Sequence, residues 1–388
     1  MNSTKPHVTT AGADPRLAGG RLTIDLDALV ANWTFLAEKS KPAQASAVVK
    51  ADAYGLGIDH VVPVLHDAGC RTFFVALVEE GLRVKAIAPD ARVFVLNGLF
   101  AEARPVFEAS GLIPVLGSHY EIDLWTGANA VSGLKLPYAL HVDTGMNRLG
   151  LTVAEALDFA TNAREMPVLV MTHLATADEP GHVLNQRQFE SFQTLRAAFA
   201  GIESSASNSS GIFHAVSNGG ELSRPGIAMY GGEALAGVAN PMRPVVTLEA
   251  RIVQIRTSPK GETAGYGATA LLERDTRIAI SSVGYADGYL RSLSGSGTPL
   301  RNVVPKGGEG FVAGHKVPVL GRVTMDMVSF DITDLPEDAV KPGDHVELFG
   351  RNIALDDAAR AAGSIGFELL TSLGNRYHRR YLYSGKGA

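Results

Sequence analysis

The sequence predicts an α/β fold: a (β/α)8 barrel followed by a mainly β C-terminal domain. Three observations carry this. First, short β-branched runs alternate with amphipathic helical patterns from about residue 45 to 230, which implies a parallel sheet covered by helices. Second, the runs number eight, at residues 47–50, 72–76, 93–96, 112–116, 138–142, 168–173, 204–207 and 225–230, and eight parallel strands can close a barrel. An open doubly wound sheet is the alternative. Third, the texture changes after Pro244: Gly/Pro turns such as Lys341-Pro342-Gly343-Asp344 recur at short intervals, as in a domain of short strands.

Taken in order, residues 1–20 are polar, rich in Thr, Gly and Pro, and lack the apolar core of a signal peptide. They read as a flexible tail. Leu26, Leu29, Val30, Trp33, Leu36 and Ala37 recur at helical spacing, so a short strand and a helix lead into the barrel, assigned to residues 21–245. Helical segments are expected at residues 58–68, 79–87, 121–128, 153–162 and 186–200. Residues 246–388 form the C-terminal domain, where Val246, Leu248, Ala250 and Ile252 alternate and a late helix covers residues 356–362.

A chain of 388 residues suffices for two such domains. It is 46% apolar and 19% charged, with 42 Gly and 19 Pro, a globular, turn-rich profile. A net charge of −5 without a Lys/Arg run gives no footprint for nucleic acid or an anionic membrane. No stretch is long enough for a membrane span. The single cysteine, Cys70, excludes an intramolecular disulfide and fits a reducing, cytoplasmic compartment. It ends an apolar helical pattern and reads as packing. No metal is expected.

The chemistry begins at Val48-Val49-Lys50-Ala51-Asp52-Ala53-Tyr54-Gly55-Leu56-Gly57. Lys50 ends an apolar strand and precedes a Gly-rich loop, which in a barrel puts its amine at the C-terminal mouth. A partly desolvated lysine loses its proton more readily and can form a Schiff base with an aldehyde. Alone, the segment reads equally as a strand-terminal lysine reaching water. Seven more segments follow: His141-Val142-Asp143-Thr144-Gly145-Met146-Asn147-Arg148-Leu149-Gly150, Met171-Thr172-His173-Leu174-Ala175, Ser207-Asn208-Ser209-Ser210-Gly211, Arg224-Pro225-Gly226-Ile227-Ala228-Met229-Tyr230-Gly231, Tyr266-Gly267-Ala268, Gly284-Tyr285-Ala286-Asp287-Gly288-Tyr289 and Gly321-Arg322-Val323-Thr324-Met325-Asp326. Together, and in this order over nearly the whole chain, the eight segments resemble those of bacterial alanine racemases, which are pyridoxal-phosphate enzymes of the (β/α)8 type.

The resemblance implies a role for each position. Lys50 would hold pyridoxal 5'-phosphate. Tyr54, Asn208, Ser209, Gly226, Ile227 and Tyr230 would bind its phosphate. Arg224 would face the pyridine nitrogen and, because arginine keeps its proton, leave that nitrogen unprotonated. Arg148 would contact the phenolic oxygen and the substrate carboxylate with its planar fork. Lys50 and Tyr266 would be two bases on opposite faces of Cα. A free tyrosine has a pKa near ~10, so positive charge from Arg224 through His173 would have to lower that of Tyr266. Tyr266, Tyr285 and Met325 would reach the site of the other subunit of a homodimer, Met325 through its backbone N–H to the carboxylate and Tyr285 at the entrance. The implied function is interconversion of L-alanine and D-alanine, supplying D-alanine for peptidoglycan. The alternatives are a broader-specificity or serine racemase and, in another class, a non-catalytic cofactor-binding barrel; the Tyr266 and Met325 segments argue against the latter.

Three positions depart from the family pattern. His141 stands where many members carry a carbamylated lysine that props the neighbouring arginine, and an imidazole cannot form that carbamate. Asn375 stands where well-studied members have a tyrosine, which opens room near the substrate methyl unless Tyr377 fills it, and implies some serine turnover. Thr324 replaces a common cysteine, with little expected effect.

Overall fold

A computed structural model describes residues 7–214 and 219–385. It divides into two compact units, one holding residues 30–229 and 233–242, the other the chain up to Leu29, Tyr230–Gly232 and everything from Arg243 on.

The first unit is the expected barrel. Six of its strands are Thr72–Val75, Arg92–Val95, Ile113–Leu116, Ala139–Asp143, Leu169–Met171 and Glu203–Ser205, each parallel to the next. Ala47–Val48 pairs in parallel with Thr72–Val75. Gln44–Ala45, just before it, pairs in parallel with Leu222–Ser223, and Glu221 N–H donates to the Ser204 carbonyl at 2.8 Å. Leu222–Ser223 thus links the last strand to the first and closes the ring. Thr72–Val75, Ile113–Leu116 and Leu169–Met171 are buried at every residue, as befits strands covered on both faces. Phe74 and Phe94 stack inside at 4.9 Å. On the outside, Ile58–Asp67 buries Ile58, Val61, Val62 and Leu65, one helical stripe against the sheet. Cys70 is buried at the foot of that helix, where burial pushes its thiol up to about 12, so packing is its role.

Two expected strands differ. The first ends at Val48, not Lys50, and the eighth lies at Leu222–Ser223, upstream of the 225–230 run, which contains the 3-10 turn Ile227–Tyr230. Pro225 lacks the N–H that a central strand must donate, so the ladder stops before it.

The second unit is built on Val246–Ser258, whose alternating first half buries Val246, Leu248, Ala250 and Ile252 as expected. This strand pairs antiparallel with Gly20–Asp25, His345–Phe349 and Thr276–Ser281. Arg21 and Glu249 form a two-pronged ion pair across one of these ladders, at 2.6 and 2.7 Å. Two short helices, Leu355–Ala361 and Gly366–Thr371, complete the unit; only the first was expected. The sequence boundaries also shift. Within the segment read as a tail, His7–Gly12 is a strand paired with His378–Tyr383, and Gly20–Asp25 joins the C-terminal sheet rather than the barrel. His7–Gly12 lies at the sheet edge, where backbone pairing needs no apolar alternation, so composition gave no sign of that strand.

Candidate active site

The parallel strands present their functional residues at one mouth, the C-terminal one. Lys50 follows Ala47–Val48, Arg148 lies in the loop after Ala139–Asp143, and His173 follows Leu169–Met171. Asn208 and Ser209 follow Glu203–Ser205, and Arg224 and Gly226 follow Leu222–Ser223. Arg224 and Arg148 lie close enough to His141 and His173 to lower them, and Arg148 is close enough to do the same to Lys50.

Lys50 opens an unusual turn. Ala51, Asp52, Ala53 and Tyr54 all have φ between 53° and 55°, a left-handed helical turn that costs L-residues roughly 1–2 kcal/mol each. Hydrogen bonds inside the turn, Ala53 N–H to Val49 O (2.9 Å) and Gly55 N–H to Ala51 O (2.8 Å), offset part of that. So does Asp52, which accepts from Ile58 N–H at 3.0 Å and from Arg83 at 2.8 Å. The turn sets Lys50 at its start and buries Tyr54 at its end. Burial first, and the Arg148 guanidinium second, hold the Lys50 ammonium below the usual lysine range, with Glu80 opposing. The amine is thereby readier to act as a nucleophile or base.

Tyr54, Ser209 and Gly226 stand together, and donors in this cradle could hold a phosphate. The N–H groups of Gly226 and Ala228 donate to the Ser209 hydroxyl at 2.8 and 3.3 Å, which leaves that hydroxyl's own proton to give. The Ile227 N–H has no acceptor among the described residues. Burial raises the Tyr54 phenol far above its ordinary value, so it remains a donor. A Cβ on Gly226 would stand 2.5 Å from the Tyr54 hydroxyl, so only glycine leaves the cradle open. Gly226→Ala is expected to weaken retention of pyridoxal phosphate about ten- to a hundredfold, since forced overpacking costs about 1–3 kcal/mol. Equilibrium dialysis measures this; unchanged retention would mean that the cradle is not used.

Arg224 is buried and has no carboxylate partner among the described residues. It donates to the Ser205 hydroxyl, to Thr172 O at 2.6 Å and to Ala206 O at 3.4 Å, and lies over the Phe74 ring at 5.9 Å. Its Nε has no protein acceptor among the described residues. Burial draws its pKa down to about 9, which leaves it charged at neutral pH. Burial, then Arg224, lowers His141 to about 4 and His173 to about 3, so both imidazoles are neutral at neutral pH. The positive charge expected to reach Tyr266 through His173 therefore resides on Arg224. Gln188 steadies His173, donating to its carbonyl at 3.0 Å and to Thr144 at 3.1 Å.

Asp143 shapes the Arg148 loop by accepting from Gly145, Met146 and Arg148 N–H. The exposed Arg148 guanidinium has no acceptor among the described residues. Asn208 accepts from Gly211 N–H at 2.9 Å, at the first residue of the turn Gly211–Phe213. Tyr230 is buried and groups with the other compact unit. With an available amine, an anion cradle and two uncompensated guanidinium groups, the mouth suits pyridoxal phosphate and a carboxylate substrate. Among the described residues no cluster of His, Cys, Asp and Glu is arranged for a metal.

In the C-terminal unit, Tyr266 opens the 3-10 turn Tyr266–Ala268 with 73% of its surface exposed. Tyr285 N–H donates to Thr324 O and Ala286 N–H to Met325 O, both at 3.0 Å, so Tyr285 and Met325 share one locked pair of loops. The Met325 N–H has no acceptor among the described residues. Arg376 braces the pair, donating to Asp287 at 2.6 Å and Asp326 at 2.9 Å. Asn375 is exposed, whereas Tyr377 is buried with its hydroxyl on Asp287 O at 2.8 Å. Tyr377 is thus committed to this unit's core.

Sequence reasoning missed Glu80, Thr172, Ser205, Gln188 and the Asp287–Arg376 pair. Glu80 had a signal, a glutamate in the first turn of an expected helix. The others act across long separations, 52 residues for Thr172 and Arg224, which no local pattern shows.

Comparison with known proteins matches residues 24–234 to the family model described as alanine racemase, N-terminal domain, and residues 245–381 to alanine racemase, C-terminal domain. An alanine racemase of Rhizobium meliloti is 53% identical over 369 residues, 94% of this chain and 97% of that protein. One of Agrobacterium fabrum, described as biosynthetic, is 54% identical over 93% of each. The solved structure of alanine racemase from Bartonella henselae with covalently bound pyridoxal phosphate is similar with a TM-score of 0.86 and 37% identity, covering 94% of this chain and 99% of that one.

Proposed function

This chain belongs to the alanine racemase family, and on that premise we propose how its own residues interconvert L-alanine and D-alanine with pyridoxal phosphate. It is an isomerase. The observation that carries the reading is the left-handed turn that joins Lys50, with its lowered ammonium pKa, to the Tyr54–Ser209–Gly226 cradle. Lys50, Tyr54, Ser209, Gly226 and Ile227 would hold the cofactor. When bound, it supplies an electron-withdrawing system that loosens the Cα proton.

Arg224 donates and never accepts, so it favours an unprotonated ring nitrogen and limits side reactions. Arg148 and the Met325 N–H bind the substrate carboxylate. His141, neutral and buried beside Arg148, takes the place of the carbamylated lysine as that arginine's neighbour. Lys50 holds or gives the proton on one face of Cα, and Tyr266 does so on the other. The exposure of Tyr266 supports its action in a second copy of the chain, so the working form is a homodimer with two shared sites. Tyr285 lines the entrance. The role is supply of D-alanine for peptidoglycan in the cytoplasm. The biosynthetic relative supports this, at 54% identity against 42% for one from Rhizobium johnstonii described as catabolic. Among the described residues no helix is long and apolar enough to cross a membrane.

Asn375 favours one refinement, measurable turnover of serine. A pocket discriminates weakly against one small added group, about 1–3 kcal/mol for a methylene. A chiral assay of the holoenzyme with L-alanine and L-serine in parallel tests both statements. D-alanine forming faster, with D-serine detectable, is the expected result. D-serine at an equal or higher rate would make this a broader racemase, and no D-isomer from either would sink the reading.

A further inference from the structure

We propose that Glu80 is the positioning residue for Lys50: by accepting the Ala51 N–H it holds the left-handed turn that aims both Lys50 and Tyr54. This rests on Lys50 being the residue that captures pyridoxal phosphate.

Glu80 lies in the first turn of the helix Val78–Ile87, which follows the next strand of the barrel. One carboxylate oxygen accepts from Ala51 N–H at 2.6 Å. The other accepts from Ala76 N–H at 2.8 Å and Leu77 N–H at 3.1 Å. One side chain therefore joins the backbone beside Lys50 to the end of the neighbouring strand. Arg83, one turn later, grips the same turn through Asp52 at 2.8 Å. Four consecutive residues in a disfavoured conformation persist only where the surroundings over-determine them, and these two side chains form that surround. Glu80 is also the carboxylate that acts on the Lys50 amine.

The barrel contains its own control. Glu121, in the first turn of His119–Ser132, makes the same bridge two wedges further on, between the loops after Arg92–Val95 and Ile113–Leu116. It accepts from Leu99 N–H at 2.9 Å with one oxygen, and from Gly117 N–H at 2.8 Å and the Ser118 hydroxyl at 3.0 Å with the other. No candidate site residue lies in the loops it joins. A bridge that only stiffened the rim would matter equally at both places.

A glutamine at either position keeps the shape but turns one acceptor into a donor, so it cannot satisfy both sets of N–H groups. The experiment follows capture of added pyridoxal phosphate by apoprotein, through its visible absorbance, across a pH series for native protein, Glu80→Gln and Glu121→Gln. Capture needs the neutral amine, so the rate rises with pH to a plateau, and the plateau reports geometry while the midpoint reports charge. Glu80→Gln is expected to lower the plateau about ten- to a hundredfold, the scale of a misplacement near 1 Å, and to move the midpoint to lower pH because a negative charge is lost. Glu121→Gln is expected to change neither. An unchanged plateau in Glu80→Gln, or an equal fall in Glu121→Gln, overturns the proposal. If native apoprotein captures no cofactor, or Lys50→Ala captures it as fast, the assignment of Lys50 fails and the proposal with it. Should Glu80→Gln not fold, Glu80→Asp, too short to reach both loops, takes the same measurement with the same outcomes.

Discussion

Lys50→Ala is expected to abolish racemisation, by at least about 10⁴-fold, because it removes both the cofactor's attachment and one of two bases. The protein itself should not suffer. Lys50 sits in the folded chain with a pKa below its ordinary 10.5. The unfolded chain therefore binds more protons between the two values, and the buried ammonium costs stability below the folded value. That cost fades as pH rises through the window and is gone above 10.5. Lys50→Ala should thus melt no lower than the native apoprotein at neutral pH, and any gain should shrink towards pH 10.5. Circular dichroism melts at several pH values, beside a chiral assay, check both halves. A variant that unfolds early would make Lys50 a structural residue; one that still racemises would remove it from the reaction.

Tyr266→Phe is expected to lower racemisation by about 10² to 10⁴, the range for loss of a general base, while leaving cofactor capture intact. The telling readout is solvent exchange. With one base left, the Cα proton of one alanine enantiomer should still exchange with deuterium, and that of the other should not. Loss of exchange in both, or in neither, would be incompatible with bases on opposite faces. The same variant tests the shared site. Lys50→Ala and Tyr266→Phe protein, each far below native activity, are mixed under conditions that exchange subunits. Sites shared between subunits predict recovery to about a quarter of native activity at most, since half the dimers are mixed and each has one intact site. If Tyr266 serves its own subunit, nothing returns.

Much of this was legible in the sequence. The barrel's strands and helices announced themselves because fully buried strands read as short continuous apolar runs and one-sided helices repeat at a period of 3.6. The candidate site residues were legible as a set because the eight segments that hold them resemble, in the same order, those of alanine racemases; Lys50 or Arg224 alone would not have carried the reading. Misreadings arose where a local rule met a non-local one. The 225–230 run has strand-like residues but begins with a proline, and His7–Gly12 has no core pattern yet gains a partner in His378–Tyr383.

The sequence by itself determined the fold class, the order of the elements and the identities of Lys50, Arg148, His173, Arg224 and Tyr266 as candidates. Only the tertiary structure decided that Lys50 opens a left-handed turn held by Glu80 and Arg83, that His141 and His173 are neutral beside a charged Arg224, and that Tyr377 is bound to Asp287. The reason is physical. Periodicity and turn chemistry depend on residues a few positions apart, and these lie side by side in the chain. Burial, the field of neighbouring charges and the survival of a strained backbone depend on which strands stand next to one another, and chain order alone does not state that.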